Sequence, residues 1–202
     1  FESPTIAQIS ETIEEAMRAE DGVALSPIIP ISRDTELPLS FSQQRLWFID
    51  RFEPESAAYN VPVSVRLRGR IDVPALEKAL SELIRRHETL RTVFAEVEGL
   101  PVQVIMPAAP LHLAITDLGE LSEEERLMEA RRLVTYDALL PFDLSRGPLL
   151  RTGLVRLADD DHIVLFTMHH IVSDGWSIGV LIREIAALYK AFNEGEPSPL
   201  PD

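Results

Sequence analysis

The chain has 202 residues, 46% apolar and 26% charged, an ordinary balance for a globular domain and enough to bury a real core. Lys and Arg total 19 against 33 Asp and Glu, and the formal charge of −14 would repel a phosphate backbone, which excludes non-specific nucleic-acid binding. No apolar run approaches the ~18 residues of a membrane span, and the lack of cysteine removes disulfides, thiolate metal sites and cysteine nucleophiles while fitting a reducing compartment.

Phe1 opens in mid-pattern, so the chain reads as a piece of a longer one. Ser3 and Pro4 start a helix, a cap followed by a proline whose missing N–H costs nothing in the first turn. Ile6, Ile9, Ile13 and Met17 mark its apolar face. From Glu20 the periodicity stops, and Pro27, Pro30 and Pro38 hold the backbone extended. Residues 1–19 are therefore read as a helix, 20–37 as a linker and 38–202 as the main domain.

Within that domain, Ser40 to Phe52 predicts a helix carrying Leu46, Trp47 and Ile49, and Asn60 to Leu67 alternates like a strand. Asp72 caps a helix with Leu76, Leu80, Leu83, Ile84 and His87 on one stripe. Leu90 to Glu96 and Pro101 to Met106 form a hairpin around Gly99, and Leu111 to Thr116 adds a strand. Ser122 and Glu125 make a capping box for a helix reaching Tyr136. A second hairpin joins Leu149–Leu157 to His162–His169, and a last helix runs from Trp176 to Asn193. Interleaved strands and helices with antiparallel hairpins predict a two-layer α/β sandwich with a mixed sheet.

The segment from Ile163 to Ser177 carries the chemistry. Its unbroken apolar run suits a strand buried on both faces, and it ends in His169, His170 and a turn through Asp174 and Gly175 before a helix. Alternation places His170 with Phe166 and Met168, and His169 with Leu165 and Thr167, so one histidine works while the other supports. Imidazole can donate and accept near neutrality. Gly175 leaves room for close approach and a helix-start N–H that suits a developing oxyanion. Asp174 either holds the loop through an arginine or caps the last helix. Adjacent histidines on opposite faces cannot chelate one ion, so no metal is expected, and His112 and His162 read as solvated.

His169-His170-Ile171-Val172-Ser173-Asp174-Gly175 resembles the HHxxxDG signature of condensation domains in nonribosomal peptide synthetases. Ser42-Gln43-Gln44-Arg45-Leu46-Trp47-Phe48 resembles the family's first core motif, and Arg86-His87-Glu88-Thr89-Leu90-Arg91-Thr92-Val93-Phe94 its second. Pro141-Phe142-Asp143-Leu144 with Gly147-Pro148-Leu149-Leu150-Arg151 resembles the segment before the catalytic hairpin, and the match is collinear from Pro38 onward. Phe1 to Ala7 resembles the start of the last helix of a peptidyl carrier domain, whose phosphopantetheine-bearing serine is not in this chain.

The resemblance implies one half of a chloramphenicol-acetyltransferase-like domain, here the N-terminal subdomain, inactive without its C-terminal half. It implies amide formation between a donor aminoacyl or peptidyl thioester and the α-amine of an acceptor aminoacyl thioester. His170 is the catalytic candidate, with His169, Asp174 and Gly175 supporting, and Arg86 or Arg91 as the arginine tied to Asp174. Ser40–Trp47 and Ser173–Ser177 look most like the type joining an L-donor to an L-acceptor. The implied partners are upstream and downstream carrier domains bearing 4'-phosphopantetheine, an adjacent adenylation domain and the C-terminal subdomain, in the cytoplasm, with no nucleic acid or membrane. A non-catalytic acyltransferase-like interaction module is the competing reading, and the intact histidine pair argues against it. A stand-alone CoA-dependent acyltransferase is a third, which the carrier-like helix disfavours.

Overall fold

The computed structural model describes residues 5–18, 27, 29–33 and 35–201. Contacts divide the chain into two units, Phe1–Thr35 and Glu36–Asp202. In the first, α1 (Ile6–Arg18) presents Ile6, Ile9 and Ile13 to solvent. Its predicted capping residues Ser3 and Pro4 lie outside the described residues, as does half of the predicted linker.

The second unit carries β1 (Leu37–Pro38), α2 (Phe41–Phe52), β2 (Asn60–Arg68), α3 (Val73–Arg86), β3 (Thr92–Val97), β4 (Leu100–Ile105), β5 (Ala114–Asp117), α4 (Glu123–Leu139), β6 (Leu150–Ala158), β7 (Asp161–His169) and α5 (Gly175–Asn193). Four strands form a mixed sheet in the order β2-β7-β6-β5, with β5 parallel to β6 across the α4 crossover and the other pairs antiparallel. The other three form an antiparallel sheet in the order β1-β4-β3. This is the mixed α/β sandwich that the interleaved elements predict.

Strand side chains alternate, so the four-stranded sheet sorts its apolar residues by parity. Leu150, Leu154, Val164, Phe166 and Met168 meet α3 and α5 through Leu76, Leu80, Leu83, Leu181 and Leu188. Val155, Leu157, Ile163 and Leu165 meet Ala130 and Leu133 of α4 on the opposite face. β7 lies between β2 and β6 and is covered on both sides, which is why four successive residues, Ile163–Phe166, are apolar and the Thr167 that follows is buried.

Local chemistry moves several boundaries. Leu90 sits in a 3-10 turn over Glu88–Arg91, its N–H on the His87 carbonyl, so the strand starts at Thr92. The predicted strand over Leu111–Thr116 pairs only from Ala114, because Ser81 Oγ and Glu77 Oε1 of α3 accept the N–H groups of Leu111 and Leu113. α4 runs three residues past Tyr136 to Leu139. His162 is a correction: it lies on β7, only 5% exposed, because its parity points it inward beside Leu154 and Val73, whereas His112 is exposed.

Removing core volume should show where stability resides. Leu80→Ala or Leu188→Ala, both fully buried, should cost ~2–5 kcal/mol. Leu67→Ala, at a site 37% exposed, should cost under ~1.5 kcal/mol. Urea unfolding of the three variants checks the contrast.

Candidate active site

The site is built from the way β7 ends. His169 donates its N–H to Leu149 O at 3.1 Å, on the β6 side, and His170 donates to Tyr59 O at 2.8 Å, on the β2 side. The sheet thus grips two successive amides from opposite flanks. Beyond them the chain folds back on His169, whose carbonyl accepts Val172 N–H at 3.1 Å and Ser173 Oγ–H at 3.3 Å. Ile171 anchors the turn by entering a cluster of Leu39, Phe94, Phe142, Leu144 and Leu149, with Leu46 and Trp47 of α2 against it.

The same turn assigns the two imidazoles opposite tasks. His169 is 3% exposed, with its ring 6.3 Å from that of Tyr59 and 6.1 Å from that of Phe142. Its Nδ1 accepts the Ile171 N–H at 3.1 Å, so the lone pair lies there and Nε2 carries the proton. Burial, helped by the neighbouring His170, pushes its pKa down from 6.5 to about 4, so it is neutral across the physiological range. His170 has left the sheet and is exposed. Its Nδ1 stands 2.6 Å from Ser173 O. A carbonyl can only accept, so Nδ1 donates and the neutral ring is left with a lone pair on Nε2. The expected face-sharing with Phe166 and Met168 ends at His169, where the strand ends.

Asp174 settles between its two expected roles. It is the N-cap of α5, accepting the Ser177 N–H at 2.8 Å and the Ser177 hydroxyl at 2.6 Å, while Ser177 Oγ receives the Asp174 N–H in a capping box. Those bonds, with one from the Trp176 N–H, hold its carboxyl below the usual carboxylate range. The helix-start N–H groups of Trp176 and Ser177 are therefore turned to Asp174 and not to an incoming oxyanion. The expected arginine tie is corrected: Arg86 donates to Pro201 O and lies 3.5 Å from Glu184, while Arg91 donates to Met106 O at 2.6 Å and lies 3.8 Å from Glu88. Both sit at the end of α3 or in the turn after it, and their partners lie on the C-terminal segment, on α5, after β4 and in that turn itself. At Gly175 an added Cβ would meet nothing within 4 Å, so the chain's own packing does not demand glycine there and open space lies in front of it. Trp176 beside it is 83% exposed.

Sequence reasoning did not single out Tyr59 or the Ser173 carbonyl. The second was within reach, since a residue three past His170 in a tight turn is spaced to meet its ring. Tyr59 acts through its backbone oxygen, which no side-chain pattern reveals.

The site is thus a strand-end histidine pair, turned over a mixed α/β sheet and followed by a capped helix. The sequence model of the Condensation domain family matches residues 33–202, and the chain belongs to that family, the condensation domain of nonribosomal peptide synthetases. Among relatives, one of the linear gramicidin synthase polypeptides of Brevibacillus parabrevis is 49% identical over 99% of this chain and 4% of its own length. Phosphinothricin tripeptide synthetase PhsC of Streptomyces viridochromogenes is 45% identical over 93% of this chain and 18% of its own length. The starter condensation domain of rhizomide synthetase RzmA superposes with a TM-score of 0.77 at 26% identity, over 84% of this chain and 41% of that one. The first condensation domain of the calcium-dependent antibiotic synthetase, in complex with a substrate analogue, gives 0.76 at 27% identity, over 84% and 40%. The chain thus spans a small part of the curated relatives and less than half of these solved condensation domains.

Two outcomes follow from the geometry. The unfolded chain binds a proton at His169 below pH 6.5 and the folded chain only below about 4, so stability falls as pH drops through that window, by at most ~3 kcal/mol. Urea unfolding from pH 7 to pH 4 should show this slope, and His169→Gln should flatten it. Asp174→Ala should lower the urea midpoint at pH 7 as a lost helix cap, and Asp174→Asn, which can still cap, should largely restore it.

Proposed function

We propose that this domain forms a peptide bond between two carrier-bound substrates, with His170 receiving the attacking amine. What carries the reading is the fixed orientation of His170, Nδ1–H on Ser173 O and Nε2 turned free of that bond on an exposed ring. The acceptor's α-amine, with an ordinary pKa of ~7.7–8.0, is partly neutral without help. It donates a hydrogen bond to Nε2, which aims its lone pair at the donor thioester carbonyl. The N–C bond forms as the C–S bond breaks, the thiolate leaves with the electron pair, and the amine's proton passes through Nε2 to that sulfur or to solvent. General-base catalysis typically contributes ~10²–10⁴-fold, whereas alignment of two held reactants can contribute more, so positioning is assigned the larger part. His169, Asp174 and Gly175 support: His169 holds the turn, Asp174 starts α5, and the unfilled space at Gly175 admits the thioester arm.

The thioester arm is 4'-phosphopantetheine on partner carrier domains, upstream and downstream, loaded by an adjacent adenylation domain in the cytoplasm. In this reading α1 (Ile6–Arg18) belongs to the last helix of a carrier domain, and residues 38–202 are the N-terminal condensation subdomain, which needs its C-terminal half to complete the site and is inactive alone. Arg86 and Arg91 support this half through their bonds to Pro201 O and Met106 O. The residues Ser40–Trp47 and Ser173–Ser177 support an L-donor and an L-acceptor.

Intact-protein mass spectrometry tests the reading directly. With the complete domain and both carriers loaded, a dipeptide should appear on the acceptor's arm, and His170→Ala should lower its rate by ~10²–10⁴-fold. No product from a folded, fully loaded system would contradict the reading and favour a non-catalytic interaction module.

A further inference from the structure

The carboxyl-terminal end of α4 has no basic residue of its own in the last turn, yet the sheet supplies donors to its carbonyls. Asn60 of β2 donates Nδ2–H to Ala138 O at 2.8 Å and to Leu140 O at 2.7 Å. Arg151 of β6 spreads its guanidinium over Asp137 O at 2.7 Å, Leu140 O at 2.9 Å and Pro141 O at 3.3 Å, with Nε on Asp137 Oδ1 at 3.3 Å. The other Asp137 oxygen accepts the Thr167 hydroxyl of β7. The guanidinium carbon also stands 3.8 Å from the centre of the Phe142 ring, and Phe142 meets the buried His169 ring nearly edge-on, at 79°.

These contacts form one assembly around a single point. Asn60 pairs with His169 across β2 and β7, and Arg151 pairs with Thr167 across β6 and β7. Two flanking strands thus clamp the end of α4, and the Phe142 ring that follows it, over His169. We propose that Arg151 is a positioning residue for the reaction: it seats Phe142 over His169, and thereby fixes the bond from His169 Nδ1 to the Ile171 N–H and the turn that orients His170. Lysine cannot take its place, because the contacts use the planar fork and its stacking as well as the charge. The kinetic part of this inference rests on the peptide-bond reading above; the part concerning the turn does not.

The test uses the full-length protein with Arg151→Lys, and with Phe142→Leu as a second variant that keeps apolar volume. Backbone hydrogen exchange by mass spectrometry should accelerate at least tenfold in the peptide spanning residues 168–174, with peptides from α3, which packs on the other face of the sheet, unchanged. Exchange of the imidazole C2 hydrogen should show the His169 titration midpoint rising from about 4 towards 6.5 as water reaches the ring. Under the peptide-bond reading, kcat should fall at least tenfold at unchanged KM for the acceptor carrier. Wild-type exchange and midpoint in both variants would overturn the inference, even if kcat fell. So would uniform acceleration in every peptide, which would mark a general loss of stability. A wild-type protein that forms no dipeptide would sink the peptide-bond reading alone, since both exchange readouts would still decide the role of Arg151.

Discussion

The whole arrangement depends on β7 being held from both flanks and covered on both faces. Its ladder to β2 and β6 reaches the histidine pair, and the amide after the strand is still held, by Tyr59 O. A buried strand cannot leave its backbone donors unpaired without a cost of ~1–3 kcal/mol each, so register and end point are tightly specified. Because the strand cannot slip, the residue at which it stops is fixed, and the histidine pair stands at that place. An exposed edge strand could not set an imidazole with the same economy of contacts.

One backbone turn then gives two identical side chains different chemistry. His169 is pressed between aromatic rings, accepts an amide N–H and stays neutral. His170 gives its Nδ1 proton to a carbonyl and offers Nε2 outward. The distinction comes from environment alone. A neutral His169 closes the turn through its ring without placing a positive charge beside the working imidazole. The cap at Asp174 starts α5 directly after the turn, and α5 returns across the sheet through Leu181 and Leu188, so the loop is tied at both ends to the core. Arg151 and Asn60 extend this support to α4 on the other face.

Much of this was legible in the sequence, and the reasons differ by element. The run from Ile163 to Met168, polar only at Thr167, identified the central strand because burial on both faces leaves no polar alternation. Ser122 with Glu125 identified the start of α4 because a capping box is local chemistry. Tertiary effects were not legible. Leu111 and Leu113 give their amides to α3 side chains rather than to a strand, and His162 turns inward through the parity of β7. The arginine expected at Asp174 failed for a related reason: Ser177, three residues on, satisfies that carboxylate locally, leaving Arg86 and Arg91 to partners elsewhere. At the site, the histidines and the cap could be read from their order along the chain, whereas Tyr59 and the carbonyl of Ser173 contribute backbone oxygens that every residue type possesses.

His170 is assigned to aligning a tethered amine more than to removing its proton, and one comparison addresses that assignment most directly. The rate loss on His170→Ala would be measured with the carrier-bound acceptor and with a small diffusible amine, using the same loaded donor. If alignment dominates, the loss should be much larger for the tethered acceptor, by at least ~10-fold, because the diffusible amine lacks the alignment that His170 completes. Equal losses with both amines would contradict the assignment and make proton removal the principal task of His170.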